Sequence, residues 1–167
     1  MARFFSFGKV VLPSVQNEPF QHYAPHSPER AALKEALKKC RSEVPEIPCI
    51  IGGKEIKTGD IATQVIPSEH SQTLCKYHRA TPDVVKQAIK AAQEAKDVWE
   101  NMPMEERLAV FTKASWILSK VQRYEVMAAA MLGTGKTVWQ AEIDVGVEMT
   151  DFWRFGAKAV EEIYGTQ

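Results

Sequence analysis

The chain has 167 residues, 45% of them hydrophobic and 25% charged, which is ordinary globular composition. Lys and Arg together match Asp and Glu at 21 each, and that balance argues against a dedicated binder of nucleic acid or acidic membrane, which needs clustered excess cations. No apolar run approaches the ~18 residues required to cross a bilayer, so neither nucleic acid nor membrane is expected as a partner.

The opening Met1 to Leu12 contains two basic residues and no acid. It reads either as the remnant of a basic, acid-poor targeting segment or as a frayed terminus. Residues 1–26 are grouped as an N-terminal extension, with Pro19 to Pro28 a coil rich in proline and histidine. Ser27-Pro28 then predicts a helix start, because a hydroxyl caps the first turn and proline loses no bond there. Leu33, Leu37, Cys40 and Val44 recur at helical spacing, and Pro45 and Pro48 end the pattern.

Two β-prone runs flank Gly52-Gly53, the spacing of a tight hairpin. Gln64–Ile66 and Thr73–His78 predict two further strands, joined by a loop over Pro67–Ser71. Thr81-Pro82-Asp83 repeats the cap-and-proline start signal. It opens an amphipathic helix through Val85, Ala88, Ile89, Ala92 and Trp99, which Pro103 terminates. A second helix is expected from Met104 to Lys120 with Leu108, Phe111 and Leu118 on one face. A third spans about 123–132, and a single long helix spans about 137–163.

The corner between the last two helices reads GTGKT and mimics the lysine end of a phosphate-binding loop. That motif needs G-x-x-x-x-G-K-[ST] directly after a strand. The first glycine position holds Ala130, and the preceding run is alanine-rich and helical. Gly133 is expected to end that helix and Thr137 to start the next, with no nucleotide bound.

Cys40, Cys49 and Cys75 stand far apart with no C-x-x-C. They read as free thiols of a reducing compartment rather than zinc ligands. None of His22, His26, His70 or His78 is placed in a site.

The last helix carries the residue that breaks its own pattern. Its apolar stripe runs Val138, Ala141, Val145, then Phe152, Phe155, Ala159 and Ile163, and Glu148 interrupts it. A carboxylate there either sits at the edge of the stripe or pairs with a cation such as Arg154, or else it lines a polar cavity. Asp144 and Asp151 lie nearby, and Asp151 to Arg154 is an ion-pair spacing.

Asn17-Glu18-Pro19, Ser27-Pro28-Glu29-Arg30, and Gly135-Lys136-Thr137 followed by Gln140-Ala-Glu-Ile-Asp144 and Glu148 together resemble the pyrroline-5-carboxylate dehydrogenase branch of the aldehyde dehydrogenase superfamily. The resemblance extends from about residue 17 to Gln167. It implies an α+β piece, a small antiparallel strand set plus a helical array, forming the outer part of an α/β dinucleotide-binding domain. Residues 27–167 are accordingly expected to be the N-terminal part of an aldehyde dehydrogenase domain lacking its catalytic half.

The implied activity is NAD-dependent oxidation of L-glutamate γ-semialdehyde to L-glutamate, in a homo-oligomer of the mitochondrial matrix. The family's nucleophilic cysteine, general base and cofactor glycine turn find no match in this chain. No catalytic or cofactor residue is therefore assigned, NAD is expected only in a complete enzyme, and Glu148 aligns with a glutamate of the substrate pocket. The alternative expectation is a short helical interaction module that binds full-length subunits. Without the rest of the domain, the helical stripes Val85–Trp99 and Leu108–Leu118 are expected to face water, to pack on one another or to drive association of the chain.

Overall fold

The computed structural model describes residues 12–166, so most of the suggested targeting remnant lies outside the described residues. Helix α1 runs Pro28–Ser42, with the Ser27 side chain accepting from the Arg30 N–H as its cap. It buries Leu33 and half-buries Leu37 and Cys40, while Val44 lies beyond the helix and is exposed.

Five strands follow: β1 (Glu46–Ile47), β2 (Cys49–Ile51), β3 (Lys54–Ile56), β4 (Ile61–Ile66) and β5 (Glu69–His78). β2 and β3 form the hairpin expected at Gly52-Gly53, and both glycines take the positive φ that such a turn demands. The other sheet has the order β1-β5-β4, with β1 parallel and β4 antiparallel to β5.

The predicted loop over Pro67–Ser71 is largely strand. β5 begins at Glu69 and pairs with β4 through a register irregularity at Val65. Its polar Glu69–Gln72 stretch lacks apolar alternation, and Glu69, His70 and Ser71 are exposed. His78, buried at the far end, accepts the Gly59 N–H at Nδ1 (3.1 Å) and faces Glu46 Oε1 from Nε2 (3.1 Å). It ties strand ends together.

Helix α2 (Pro82–Glu100) is capped by Thr81, as the start signal predicted. It lies against the β2–β3 hairpin and buries Val84, but Val85, Ile89, Val98 and Trp99 are exposed. The α2 stripe thus faces water as expected. The Leu108–Leu118 stripe does not: α3 (Met104–Trp116) packs on α6 and buries Leu108, while Leu118 enters the main core, leaving Phe111 exposed.

The expected helix 104–120 passes into a π-helical turn at Ile117–Val121, closed by the Gln122 N–H on Ile117 O (2.9 Å). α4 then spans Arg123–Thr134. Its terminator is Gly135 and not Gly133. Gly135 adopts the left-handed conformation at φ 70°, whereas Gly133 stays helical with Leu74 close by.

Thr137 starts the next helix with a reciprocal capping box. Its hydroxyl accepts from the Gln140 N–H, and Gln140 Oε1 accepts the Thr137 N–H. The long last helix is α5 (Val138–Ala141), a π-helical stretch Glu142–Glu148, and α6 (Met149–Thr166).

The core joins Tyr23, Leu33, Leu118, Met127, Ala141 and Val145. A second cluster of Ile66, Leu74 and Leu132 seats α4 on the sheet. Tyr23 belongs to the coil before α1, and Asn17, Gln21 and Tyr23 of that coil are hydrogen-bonded to the last helix.

Candidate functional site

The π-helical stretch decides which face of the last helix is buried. Its i→i+5 bonding, seen in Met149 N–H to Asp144 O, rotates later side chains away from the 3.6-residue register. The buried face is therefore Ala141, Glu142, Val145, Gly146, Thr150, Asp151, Ala157 and Glu161, while Phe152, Phe155, Ala159 and Ile163 are exposed. The apolar stripe expected from periodicity is split: its first half is core and its second half faces outward.

Glu148 turns outward with that second half. No side-chain hydrogen bond or ion pair engages its carboxylate among the described residues. Arg154, its suggested partner, instead binds Glu18 Oε2 (2.8 Å) and Ser119 Oγ (3.2 Å). Glu148 borders a cavity of about 460 Å³ together with Asn17, Phe20, Val147, Phe152 and Phe155. The coil before α1 supplies one wall and the last helix the other. Phe20 packs in turn on Trp139 in a tilted arrangement, with ring centroids 4.7 Å apart. A carboxylate beside aromatic and aliphatic walls suits a ligand with a cationic end and a short carbon chain.

Behind the cavity lies a charge network that periodicity did not reveal. Glu142 is fully buried, and both its oxygens are engaged. Oε1 accepts the Gln21 N–H (2.7 Å) and the Arg123 guanidinium, and Oε2 accepts the Tyr23 hydroxyl (2.6 Å). Arg123, itself 3% exposed, also donates to Glu18 (3.1 Å) and to the Pro19 carbonyl (3.3 Å). Lys120 completes the grip on Glu18 at 2.9 Å. Asp151 accepts from Asn17 Nδ2 (2.7 Å) and the Glu18 N–H (2.8 Å) instead of pairing with Arg154.

Electrostatics within the network are set by these contacts. Burial raises the Glu18 carboxyl, but hydrogen bonds and charge from Lys120 and Arg154 outweigh it and hold it below the usual carboxylate value. Burial, reinforced by the Glu142 carboxylate, pushes the Tyr23 phenol well above its ordinary value, so it remains a donor. Burial opposes the Arg123 charge, yet the bond to Glu142 keeps the guanidinium protonated.

One sequence signal did point here. Gly146 sits inside an apolar helix one turn after Glu142, and a glycine in such a place marks close approach.

The GTGKT corner lacks the strand-to-helix setting of a phosphate-binding loop. A helix precedes it, and Lys136 is taken by Asp144. The three cysteines are half-buried free thiols, and burial raises the thiols of Cys40 and Cys75. Among the described residues no group of three or more His, Cys, Asp or Glu side chains could hold a metal. No described helix is long and apolar enough to cross a membrane.

The fold and this helix-and-coil arrangement are those of the aldehyde dehydrogenases. The profile of the aldehyde dehydrogenase family matches residues 56–167, and the chain belongs to that family. It is 49% identical over 157 residues to the Delta-1-pyrroline-5-carboxylate dehydrogenase of Agaricus bisporus, covering 93% of this chain and 29% of that protein. The mitochondrial Delta-1-pyrroline-5-carboxylate dehydrogenase of Dictyostelium discoideum is 45% identical, over 96% of this chain and 29% of its own length.

Among solved structures, the NAD-bound Delta-pyrroline-5-carboxylate dehydrogenase of Mycobacterium tuberculosis superposes with a TM-score of 0.92. It is 36% identical and covers 95% of this chain and 30% of that one. The chain thus spans about three-tenths of the length of the relatives it matches.

Proposed function

We propose that residues 27–167, with the coil docked on them, form the N-terminal part of a pyrroline-5-carboxylate dehydrogenase. The complete enzyme would oxidise L-glutamate γ-semialdehyde to L-glutamate with NAD⁺ as oxidant. Its nucleophile, general base and cofactor bed are supplied by parts of the enzyme other than these residues, and these residues alone do not turn over the aldehyde. The enzyme works as a homo-oligomer in the mitochondrial matrix.

One observation carries the reading: the Glu148 carboxylate has no partner among the described residues and borders an aromatic-walled cavity. The substrate's α-ammonium supplies the missing cation, and Phe152 and Phe155 pack on its methylenes. Glu148→Gln in the complete enzyme is expected to lower kcat/KM for glutamate γ-semialdehyde at least about tenfold, or about 1.4 kcal/mol. The analogue lacking the amino group should lose much less. Equal kcat/KM in mutant and parent for the natural aldehyde would remove Glu148 from the site.

The exposed Val98 and Trp99 of α2 favour a second reading, a short form that binds full-length subunits. Co-purification of tagged full-length enzyme with this chain supports it, and a monomeric chain that captures none excludes it.

A further inference from the structure

The cavity beside Glu148 is closed on one side by coil, and coil holds its place only where something fastens it. Between Asn17 and Tyr23 the fastenings are carboxylates and cations. Asp151, 8% exposed, takes the Asn17 amide on one oxygen (2.7 Å) and the Glu18 N–H on the other (2.8 Å). Glu18 is gripped from behind by Lys120, Arg123 and Arg154. Gln21 and Tyr23 are bound by Glu142. The wall cannot retreat without leaving a buried charge unpaired, which is costly.

Asp151 differs from the other anchors in its place. It borders the cavity itself, one helical turn from Glu148, and its partner Asn17 borders the same cavity from the coil. We propose that Asp151 is a positioning residue for substrate recognition: by holding Asn17 and Glu18 it sets the separation of Phe20 from Phe152 and Phe155, and hence the length of aldehyde the pocket accepts. The inference rests on reading this cavity as the substrate's.

The donor and acceptor pattern provides the test. In Asp151→Asn, either orientation of the new amide turns an NH₂ toward one of the two donors, so one contact is lost. In the pair Asn17→Asp/Asp151→Asn, the new amide oxygen keeps the Glu18 N–H, and its NH₂ donates to the new carboxylate. Both variants are made in the complete enzyme and assayed with glutamate γ-semialdehyde and its homologue one methylene longer, with melting temperature as the measure of folding.

Asp151→Asn is expected to raise KM for the natural aldehyde about fivefold or more, with kcat within about twofold, and to shift preference toward the longer homologue. The swapped pair is expected to restore both. Should Asp151→Asn fail to fold, Asn17→Ala removes the contact from the exposed side and must raise KM in the same way. Unchanged KM and unchanged length preference overturn the proposal. So does a swapped pair that restores melting without restoring KM.

Glu148→Gln run alongside separates the two claims. If it is impaired while the Asp151 variants are normal, only the positioning role falls. If all are normal, the cavity is not the substrate's and both fall.

Discussion

A β-carbon built on Gly146 would lie 2.7 Å from Glu142 Oε2 and 3.0 Å from Arg123 Nη2. The hydrogen of glycine is therefore what lets the guanidinium lie across the last helix and reach its carboxylate. In an open helix, Gly→Ala is stabilising by about 1 kcal/mol. Here the added methyl meets a buried ion pair, and Gly146→Ala is expected to cost about 1–3 kcal/mol instead. A urea midpoint at or above that of the parent would disprove it.

Arg123 holds Glu18 and Glu142 together, at separations of 105 and 19 residues. Removing it alone leaves the buried Glu142 carboxylate without its cation, while Glu18 keeps Lys120 and Arg154, so Arg123→Met is expected to cost about 3–5 kcal/mol. Glu142→Gln, made in the same background, relieves part of that penalty. The double variant should be more stable than the sum of the single losses predicts, by about 1 kcal/mol or more. A double-mutant cycle by urea denaturation measures the coupling, and simple additivity would mean the pair is not an energetic unit.

Acid should release the coil. The Glu18 carboxyl titrates below its ordinary value of 4.5 in the fold, because Lys120 and Arg154 prevail over burial. A depressed folded value means the unfolded chain takes up the proton more readily. The contribution of Glu18 is thus complete above about pH 4.5 and is lost as pH falls through the folded value. Trp139, packed against Phe20, reports the docked coil by its fluorescence. Glu18→Gln is expected to lower stability at pH 7 and to flatten the acid limb. An acid limb of unaltered steepness would assign the transition to other groups.

Gly135 closes α4 in the left-handed region at φ 70°. A side chain there is strained whatever space surrounds it, so Gly135→Ala is expected to cost about 1–2 kcal/mol. Gly133→Ala, at a helical position with Leu74 3.6 Å away, makes the matched control and should cost less. Thermal melts of the two variants compare them directly, and equal losses would remove the turn's special role.

Helix starts were legible in the sequence at Ser27, Thr81 and Thr137 because capping is local chemistry: a hydroxyl meets an N–H three residues on, and nothing distant is needed. The hairpin at Gly52-Gly53 was legible for the same reason, since the turn's positive φ values select their residues. The extent of β5 was not, because Glu69–Gln72 has a polar composition that pairing tolerates without demanding.

Glu148 drew notice by its break in a 3.6-residue stripe, although the stripe itself is redirected by the π-helical stretch Glu142–Glu148. Its outward position depends on that redirection, and the charge that periodicity offered it, Arg154, is spent on Glu18.

By itself the sequence determined where the helices capped by Ser27, Thr81 and Thr137 begin, where the Gly52-Gly53 hairpin turns and which kin the chain has, because those follow from neighbours within a few residues and from motif identity. Only the tertiary structure decided that Glu18, Arg123 and Glu142 meet, that Asp151 fastens the coil through Asn17, and that Phe152 and Phe155 face a cavity. Contacts across such separations follow from how the coil and helices pack, and no local spacing records them.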